Sequence, residues 1–135
     1  MTSNPRPTLD QERARYAWEC VSKLEKELGD YYINVAKSAP ALIMNNGLMQ
    51  TLAFLQGKDK DHHKALRDHI CKWLGRRFGG EPLGGDRRFA AENEADYRRV
   101  MESLYNSPSG LYRRATDESL ALLRWVRQLA AAHKE

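Results

Sequence analysis

The segment that decides the fold spans residues 31 to 56 and reads YYINVAKSAPALIMNNGLMQTLAFLQ. It is dense in apolar residues, and Lys37 is its single charged side chain. Because the rest of the chain is rich in charge, such a segment is expected in a hydrophobic core or an interface. A helix is predicted to end at Asn45-Asn46-Gly47, since Asn and Gly tolerate the left-handed backbone that closes a helix.

Helical periodicity dominates the whole chain, and no convincing alternating strand pattern is visible. Thr8 and Gln11 predict a capping box that opens the first helix, and Gly29 is predicted to stop that helix. Trp18 falls on the predicted buried stripe of the first helix. The stripe of the second helix continues in phase through Pro40, where a kink or a short break is expected. About six helices are predicted, forming one compact all-α domain with orthogonal or bundle-like packing.

Composition favours a globular protein of one domain. The chain has 135 residues, of which 41% are hydrophobic and 30% are charged. No apolar run approaches the roughly 20 residues that span a bilayer, and the amino terminus lacks the apolar core of a signal peptide. Residues 1–7 are expected to be flexible. Cys20 and Cys71 form no disulfide framework, so we expect reduced thiols in a cytoplasmic protein without a membrane partner.

The positive charge is concentrated in one part of the sequence. The formal net charge is +4, and the basic and acidic side chains cancel within residues 1–57 and within residues 89–135. The whole excess therefore falls in residues 58–88. A localised basic surface attracts polyanions, so contact with nucleic acid is one hypothesis, and solvated helix faces are the other.

Residue patterns for catalysis or metal binding are weak. His62 and His69 lie on one face of the predicted fourth helix, but Cys71 points away from them, so no metal site is expected. The acidic run Glu92, Glu94 and Asp96 is explained by the positive end of the fifth helix. No serine has a recognisable activating partner. GGEPLGGD, residues 79–86, lacks the signature of a phosphate-binding loop and is predicted to be a flexible loop, either a connector or a surface that orders on assembly. Neither enzymatic activity nor a cofactor is expected.

One block of the sequence resembles a known family, the small all-helical subunit of the Cmr complex, a type III-B CRISPR RNA-guided effector. The resemblance covers residues 36–55 and is supported more loosely by the chain length and the helical pattern. The residues that carry it are Lys37, Pro40, Ile43, Asn46, Gly47, Leu48, Leu52, Ala53 and Phe54.

The resemblance implies a function that arises from assembly. In that family several copies stack end to end as a minor filament, beside the backbone subunits that hold the guide RNA. The expected partners are the other Cmr subunits, among them the backbone and large subunits, further copies of this chain, guide RNA and target RNA. The resemblance also implies that cleavage belongs to other subunits. A role without sequence specificity is expected of the small subunit, because base pairing supplies the specificity.

Six basic residues are predicted to face RNA: Lys37, Lys60, Lys64, Arg67, Arg76 and Arg77. Few aromatic residues lie among them in the sequence, which favours contact with the backbone over base stacking. Leu48, Leu52 and Leu55 are predicted to lie in the core, and the surface of residues 38–46 is a candidate protein contact. Two alternatives remain open, a pure protein adaptor and a free-standing helical nucleic-acid-binding module.

Overall fold

The structure, a computed structural model, describes residues 5–133. Six α-helices make up most of this part of the chain, and the predicted all-α class is confirmed. Between α4 and α5 lie two short strands and a 3-10 helix over Glu92–Glu94. The elements are α1 (Leu9–Ser22), α2 (Lys26–Asn46), α3 (Leu48–Lys58), α4 (Asp61–Phe78), β1 (Pro82–Gly84), β2 (Arg87–Arg88), α5 (Tyr97–Tyr105) and α6 (Ser109–His133).

The first helix begins as predicted but ends earlier. The Thr8 side chain accepts from the Gln11 backbone N–H at 3.1 Å, and the Gln11 side chain accepts from the Thr8 backbone N–H at 2.7 Å. The predicted stop at Gly29 is wrong, because α1 already ends at Ser22 and Gly29 lies inside α2. No Gly or Pro marks the turn between the two helices. Tertiary packing fixes the break, as it commonly overrides local propensity.

The buried stripe of α1 is also rotated from its predicted position. Tyr16, Ala17, Cys20 and Val21 are buried, whereas Trp18 is 51% exposed and contacts the ring of His133 edge-on. The prediction that Trp18 faces the core is therefore wrong. The helix turns Tyr16 inward instead, where its ring lies 4.9 Å from that of Trp73.

The apolar segment forms α2 and α3, joined by a single residue. α2 runs without a break through Pro40 and ends at Asn46, as predicted from the Asn-Asn-Gly sequence. Gly47 has φ 91° and ψ 162°, a conformation that side-chain-bearing residues avoid. Gly47 is both the C-cap of α2 and the N-cap of α3. Because the turn is only one residue long, Leu48 and Leu52 follow directly into the core, where neither has exposed surface.

The GGEPLGGD segment is an ordered β-hairpin, which corrects the predicted flexible connector and the absence of strands. β1 and β2 pair antiparallel, and the Phe89 N–H donates to the Glu81 carbonyl at 2.8 Å. Leu83 and Phe89 are buried beneath the hairpin, and their burial holds it in place. Strands of three and two residues are too short to give an alternating pattern in the sequence.

The acidic run before α5 is divided between two structures. Glu92 and Glu94 belong to the 3-10 helix, so they do not open α5 as predicted. Asp96 does, as its N-cap, and its side chain accepts from the Arg99 N–H at 2.8 Å. The 3-10 helix packs so closely on α4 that a Cβ atom at Gly75 would lie 2.6 Å from that of Ala95.

The core forms where α2, α4 and α6 meet. α6 also packs along α1, while α3 and α5 contact α4 and each other. Two tyrosine hydroxyls within this packing are bonded: that of Tyr16 donates to the His69 carbonyl at 2.6 Å, and that of Tyr32 lies 2.7 Å from His69 Nδ1. The largest fully buried side chains are Trp73, Tyr32, Phe89, Leu48, Leu52, Leu55, Leu66, Ile70, Leu74, Leu104, Leu122 and Leu123.

Two further predictions concern the flexibility of the amino terminus and the absence of a membrane-spanning segment. The first four residues of the predicted flexible segment, residues 1–7, lie outside the described part, and residues 5–7 form neither helix nor strand. The flexibility of this segment stays a prediction. Among residues 5–133, no helix is both long enough and apolar enough to cross a membrane.

Candidate nucleic-acid interface

The amino end of α4 presents the densest group of predicted RNA-facing residues. α3 ends at Lys58, Asp59 turns the chain in the left-handed conformation with φ 53°, and Lys60 is the N-cap of α4. Lys60 is exposed and makes no side-chain capping bond. Lys64 follows one turn later on the same face, and its ammonium lies 2.8 Å from the Asp59 carboxylate.

The Lys64–Asp59 pair is solvent-exposed, and both charges are preserved. The hydrogen bond raises the pKa of Lys64 and lowers the pKa of Asp59. Exposed pairs of this kind contribute only about 0–1 kcal/mol. A phosphate group could therefore take the place of the carboxylate at little cost, so the pairing does not remove Lys64 as a candidate.

Arg67 lies on the same face of α4 but is held more firmly. Its side chain is 15% exposed, pairs with Asp68 at 2.8 Å, and donates to Gln56 of α3. These contacts fix the guanidinium at the junction of α3 and α4. Lys60, Lys64 and Arg67 lie within roughly 60° of one another around the helix axis and form one basic stripe.

Arg76 and Arg77 belong to a different part of α4. Arg76 lies ~24 Å along the helix axis from Lys60 and roughly on the opposite side. It pairs with Glu92 at 2.7 Å, which lowers the pKa of that carboxyl, and its guanidinium lies 4.9 Å from the centre of the Tyr16 ring. The six predicted residues are therefore not brought together on one stripe.

Arg77 is engaged with a buried acid. Its Nε atom is buried 3.7 Å from Glu118 of α6, without a hydrogen bond. Its side chain is 33% exposed. Arg77 thus has a structural partner inside the protein, and only part of its guanidinium reaches the surface. Lys37, the sixth candidate, is exposed on α2.

The residues of the resemblance block divide between core and surface. Ile43, Leu48 and Leu52 are buried, while Phe54 is 41% exposed. The neighbouring surface of residues 38–46 includes Met44, which is 73% exposed. The predicted split between a buried part and a surface part of this segment, with Leu55 in the core, agrees with these positions.

Sequence reasoning missed the aromatic residues that gather at the first turn of α4. Tyr31 of α2 and Phe54 of α3 are distant in sequence from α4, yet their rings contact His62 and His63 in its first turn. The helical phase could have indicated that Phe54 points outward, since it lies two residues beyond Leu52. Its proximity to the histidines is a tertiary contact without a local signal.

The cysteines and His69 lie in environments that disfavour their charged forms. Burial raises the pKa of Cys20 to about 11 and that of Cys71 to about 12, which disfavours the reactive thiolate. Burial lowers the pKa of His69 to about 4. No group of three or more His, Cys, Asp or Glu side chains that could hold a metal ion is present between residues 5 and 133.

These features define a class, a small helical protein with a locally basic surface. The family model for CRISPR-associated protein (Cas_Cmr5) matches residues 9–133. The CRISPR system Cmr subunit Cmr5 of Thermus thermophilus is 30% identical over 126 residues, which are 93% of this chain and 95% of the relative. The Cmr subunit Cmr5 of Thermotoga maritima is 36% identical over 67 residues, half of each chain.

A solved structure gives the same result. The crystal structure of a CRISPR-associated Cmr5 family protein from Thermus thermophilus superimposes with a TM-score of 0.72 at 27% identity, covering 96% of this chain and all of the other. The chain belongs to the Cmr5 family. The resemblance found in residues 36–55 is thereby confirmed and extends over nearly the whole domain.

Proposed function

We propose that the protein is a non-catalytic subunit of a Cmr (type III-B) CRISPR complex and that it contacts the RNA backbone through its basic surface. Membership of the Cmr5 family supports the assembly, because the curated relatives are named Cmr subunits. The observation that carries the RNA contact is the basic stripe at the amino end of α4, where Lys60 is exposed, Lys64 is partly exposed and Arg67 is mostly covered.

The position of the stripe suits a phosphate backbone. The positive end of the α4 dipole lies at Lys60, where no side chain caps the helix, and it adds to the field of the lysines. Contacts of this kind read charge and spacing but not sequence. In a complex whose specificity comes from pairing between guide and target, a subunit needs only such contacts.

We also propose that copies of the chain stack in the complex through the surface of residues 38–46. Met44 extends from α2 with 73% of its surface exposed, next to the exposed Asn45 and Asn46. A flexible apolar side chain beside amide groups is typical of a protein contact. A repeated head-to-tail contact that does not close would form the minor filament.

Charge reversal tests the RNA contact in the assembled complex. K60E/K64E should weaken target-RNA retention and reduce the slope of log affinity against log salt by about 1–2, since each lost phosphate contact contributes about 0.7–0.9. Lys37→Glu tests the α2 position separately. Arg76 and Arg77 are changed to Gln, because Glu would be repelled by Glu92 and Glu118.

The control is an equal change of charge on an unrelated exposed face. Arg124 and Arg127 of α6 are exposed, and R124E/R127E should leave RNA retention and its salt slope unchanged. If the stripe variants and the controls retain target RNA equally at every salt concentration, the proposed backbone contact is wrong and a purely protein-binding role replaces it.

A further inference from the structure

Four aromatic rings from three helices meet beside the first turn of α4, near Lys58 and Lys60. Tyr31 comes from α2, Phe54 from α3, and His62 and His63 from the first turn of α4. We refer to these four residues as the ring cluster. Their proximity depends on the corner at Gly47, which turns α3 back so that it packs on both α2 and α4.

The rings form a continuous series of contacts. Tyr31 stacks on His62 with the planes 25° apart and the centres 5.2 Å apart. The centres of His62 and His63 are 4.4 Å apart, and the edge of His63 meets Phe54 at 6.1 Å. Aromatic pairs with centres about 4.5–7 Å apart attract one another, so the contacts hold the rings in a defined arrangement.

The two outer members of the series remain exposed to solvent. Tyr31 is 60% exposed and Phe54 is 41% exposed. Because His62 covers one face of Tyr31, most of this exposure falls on the opposite face and the edge of the ring. A single exposed aromatic side chain is common on protein surfaces. Two of them joined through a pair of histidines form a platform on which a further flat ring could stack.

Lysines lie at the Phe54 end of the ring cluster, whereas Asp30 and Asp61 adjoin Tyr31 and His62 in the chain. The Lys58 ammonium lies 4.9 Å from the centre of the Phe54 ring, and Lys60 and Lys64 follow in the next turn. Asp59 is engaged by Lys64, and Asp61 is the remaining acid in this turn. Burial, followed by repulsion from His62, Lys58 and Lys60, lowers the pKa of His63.

We propose that the ring cluster stacks an unpaired base of single-stranded RNA whose phosphates contact the neighbouring lysines, Lys58 and Lys60. This inference rests on the proposed backbone contact and deepens it, since it assigns a base contact to the same surface. Flat aromatic rings beside lysines are the usual means of holding single strands without reading their sequence. The lysines attract the backbone, and the rings select strands with an unstacked base over a continuous duplex.

The test uses the assembled complex with target RNA that carries 4-thiouridine at single positions. Ultraviolet crosslinking followed by mass spectrometry should find nucleotides attached to Tyr31, Phe54 or the two histidines. Y31L/F54L keeps apolar bulk but removes both exposed rings, and it should lower target-RNA affinity by about tenfold while leaving the salt slope unchanged. Tyr31→Phe keeps the ring and should keep the affinity.

The matched control is Tyr105→Leu, because Tyr105 is 63% exposed on α5 and lies outside the ring cluster. Tyr105→Leu should leave the target-RNA affinity unchanged. If K60E/K64E weakens RNA retention while Y31L/F54L does not, stacking is wrong and the backbone contact stands. If neither variant weakens retention, both proposals are wrong. Crosslinks from the ring cluster to another subunit and not to RNA would also overturn the inference.

Discussion

Arg13 of α1 donates two hydrogen bonds to Glu118 of α6, at 2.7 Å from Nε and 2.8 Å from Nη2. Trp73 of α4 donates to the same carboxylate at 3.0 Å. Burial alone would raise the pKa of Glu118, but these bonds outweigh it and hold the pKa below its usual range. One acid therefore connects three helices, and Arg77 lies beside it.

Loss of the Glu118 carboxylate should destabilise the protein strongly. Glu118→Ala leaves Arg13 and the Trp73 indole without their acceptor, and breaking a buried pair in this way costs about 3–5 kcal/mol. Urea unfolding followed by circular dichroism measures the loss. Asp117→Ala, at the adjacent position on a more exposed face, should change stability by less than about 0.5 kcal/mol. Equal stability of the two variants would contradict the structural role of Glu118.

Gly47→Ala should destabilise the corner between α2 and α3. The φ of 91° at Gly47 strains any residue with a Cβ atom, at a cost of about 1–3 kcal/mol. Steric contact adds little, since that atom would lie 3.6 Å from the Tyr112 hydroxyl. Thermal unfolding tests this, and an unchanged midpoint would show that another backbone geometry is accessible at the corner.

Gly29→Ala should have the opposite effect. Gly29 lies inside α2, and a Cβ atom there would have no neighbour within 4 Å. Alanine stabilises a helix relative to glycine by up to about 1 kcal/mol. The same unfolding assay should give a higher midpoint than the wild type, whereas a lower midpoint would support a helix end at Gly29.

Stability should fall as the solution is acidified below neutral pH. Burial lowers the pKa of His69 to about 4, so the unfolded chain takes up a proton near the ordinary histidine pKa of about 6.5 before the folded protein does. As the pH falls from about 6.5 to about 4, the free energy of unfolding should decrease by about 3 kcal/mol. His69→Asn can keep a polar partner for Tyr32 and does not titrate, so its stability should vary less as the pH falls through this window. If the stability of the wild type and of His69→Asn depends equally on pH, protonation of His69 is not the cause of the loss.

Both cysteines should resist alkylation in the folded protein. Cys71 has no exposed surface and Cys20 is 8% exposed, and burial raises the pKa of both thiols. Reaction with iodoacetamide at mildly alkaline pH should be at least about a hundredfold slower than in urea. Rapid modification of the native protein would show that α1 or α4 opens readily.

The sequence was sufficient for the features that depend on local periodicity and turn chemistry. The Thr8 capping box, the corner at Gly47 and the burial of Leu48 and Leu52 follow from spacing alone. The end of α1 was missed because packing and not a Gly or Pro determines it. Strands as short as β1 and β2 leave no alternating pattern to detect.

The candidate site was predictable only in part. Helical phase grouped Lys60, Lys64, Arg67 and Lys72, and all four lie at or in α4. It gave no warning that Arg77 has a buried partner far along the chain, Glu118, because that contact joins α4 and α6. The approach of Tyr31 to His62 is likewise a contact between helices, and the expectation of few aromatic residues near the basic surface was a statement about sequence neighbours alone.

Affinity purification of the tagged protein from its native cells tests the central claim most directly. Co-purifying proteins and RNA would both be identified. The proposed function predicts a multi-subunit complex that contains Cmr subunits, several copies of this chain and short guide RNAs. Recovery of the chain alone, or with unrelated partners and no guide RNA, would contradict it.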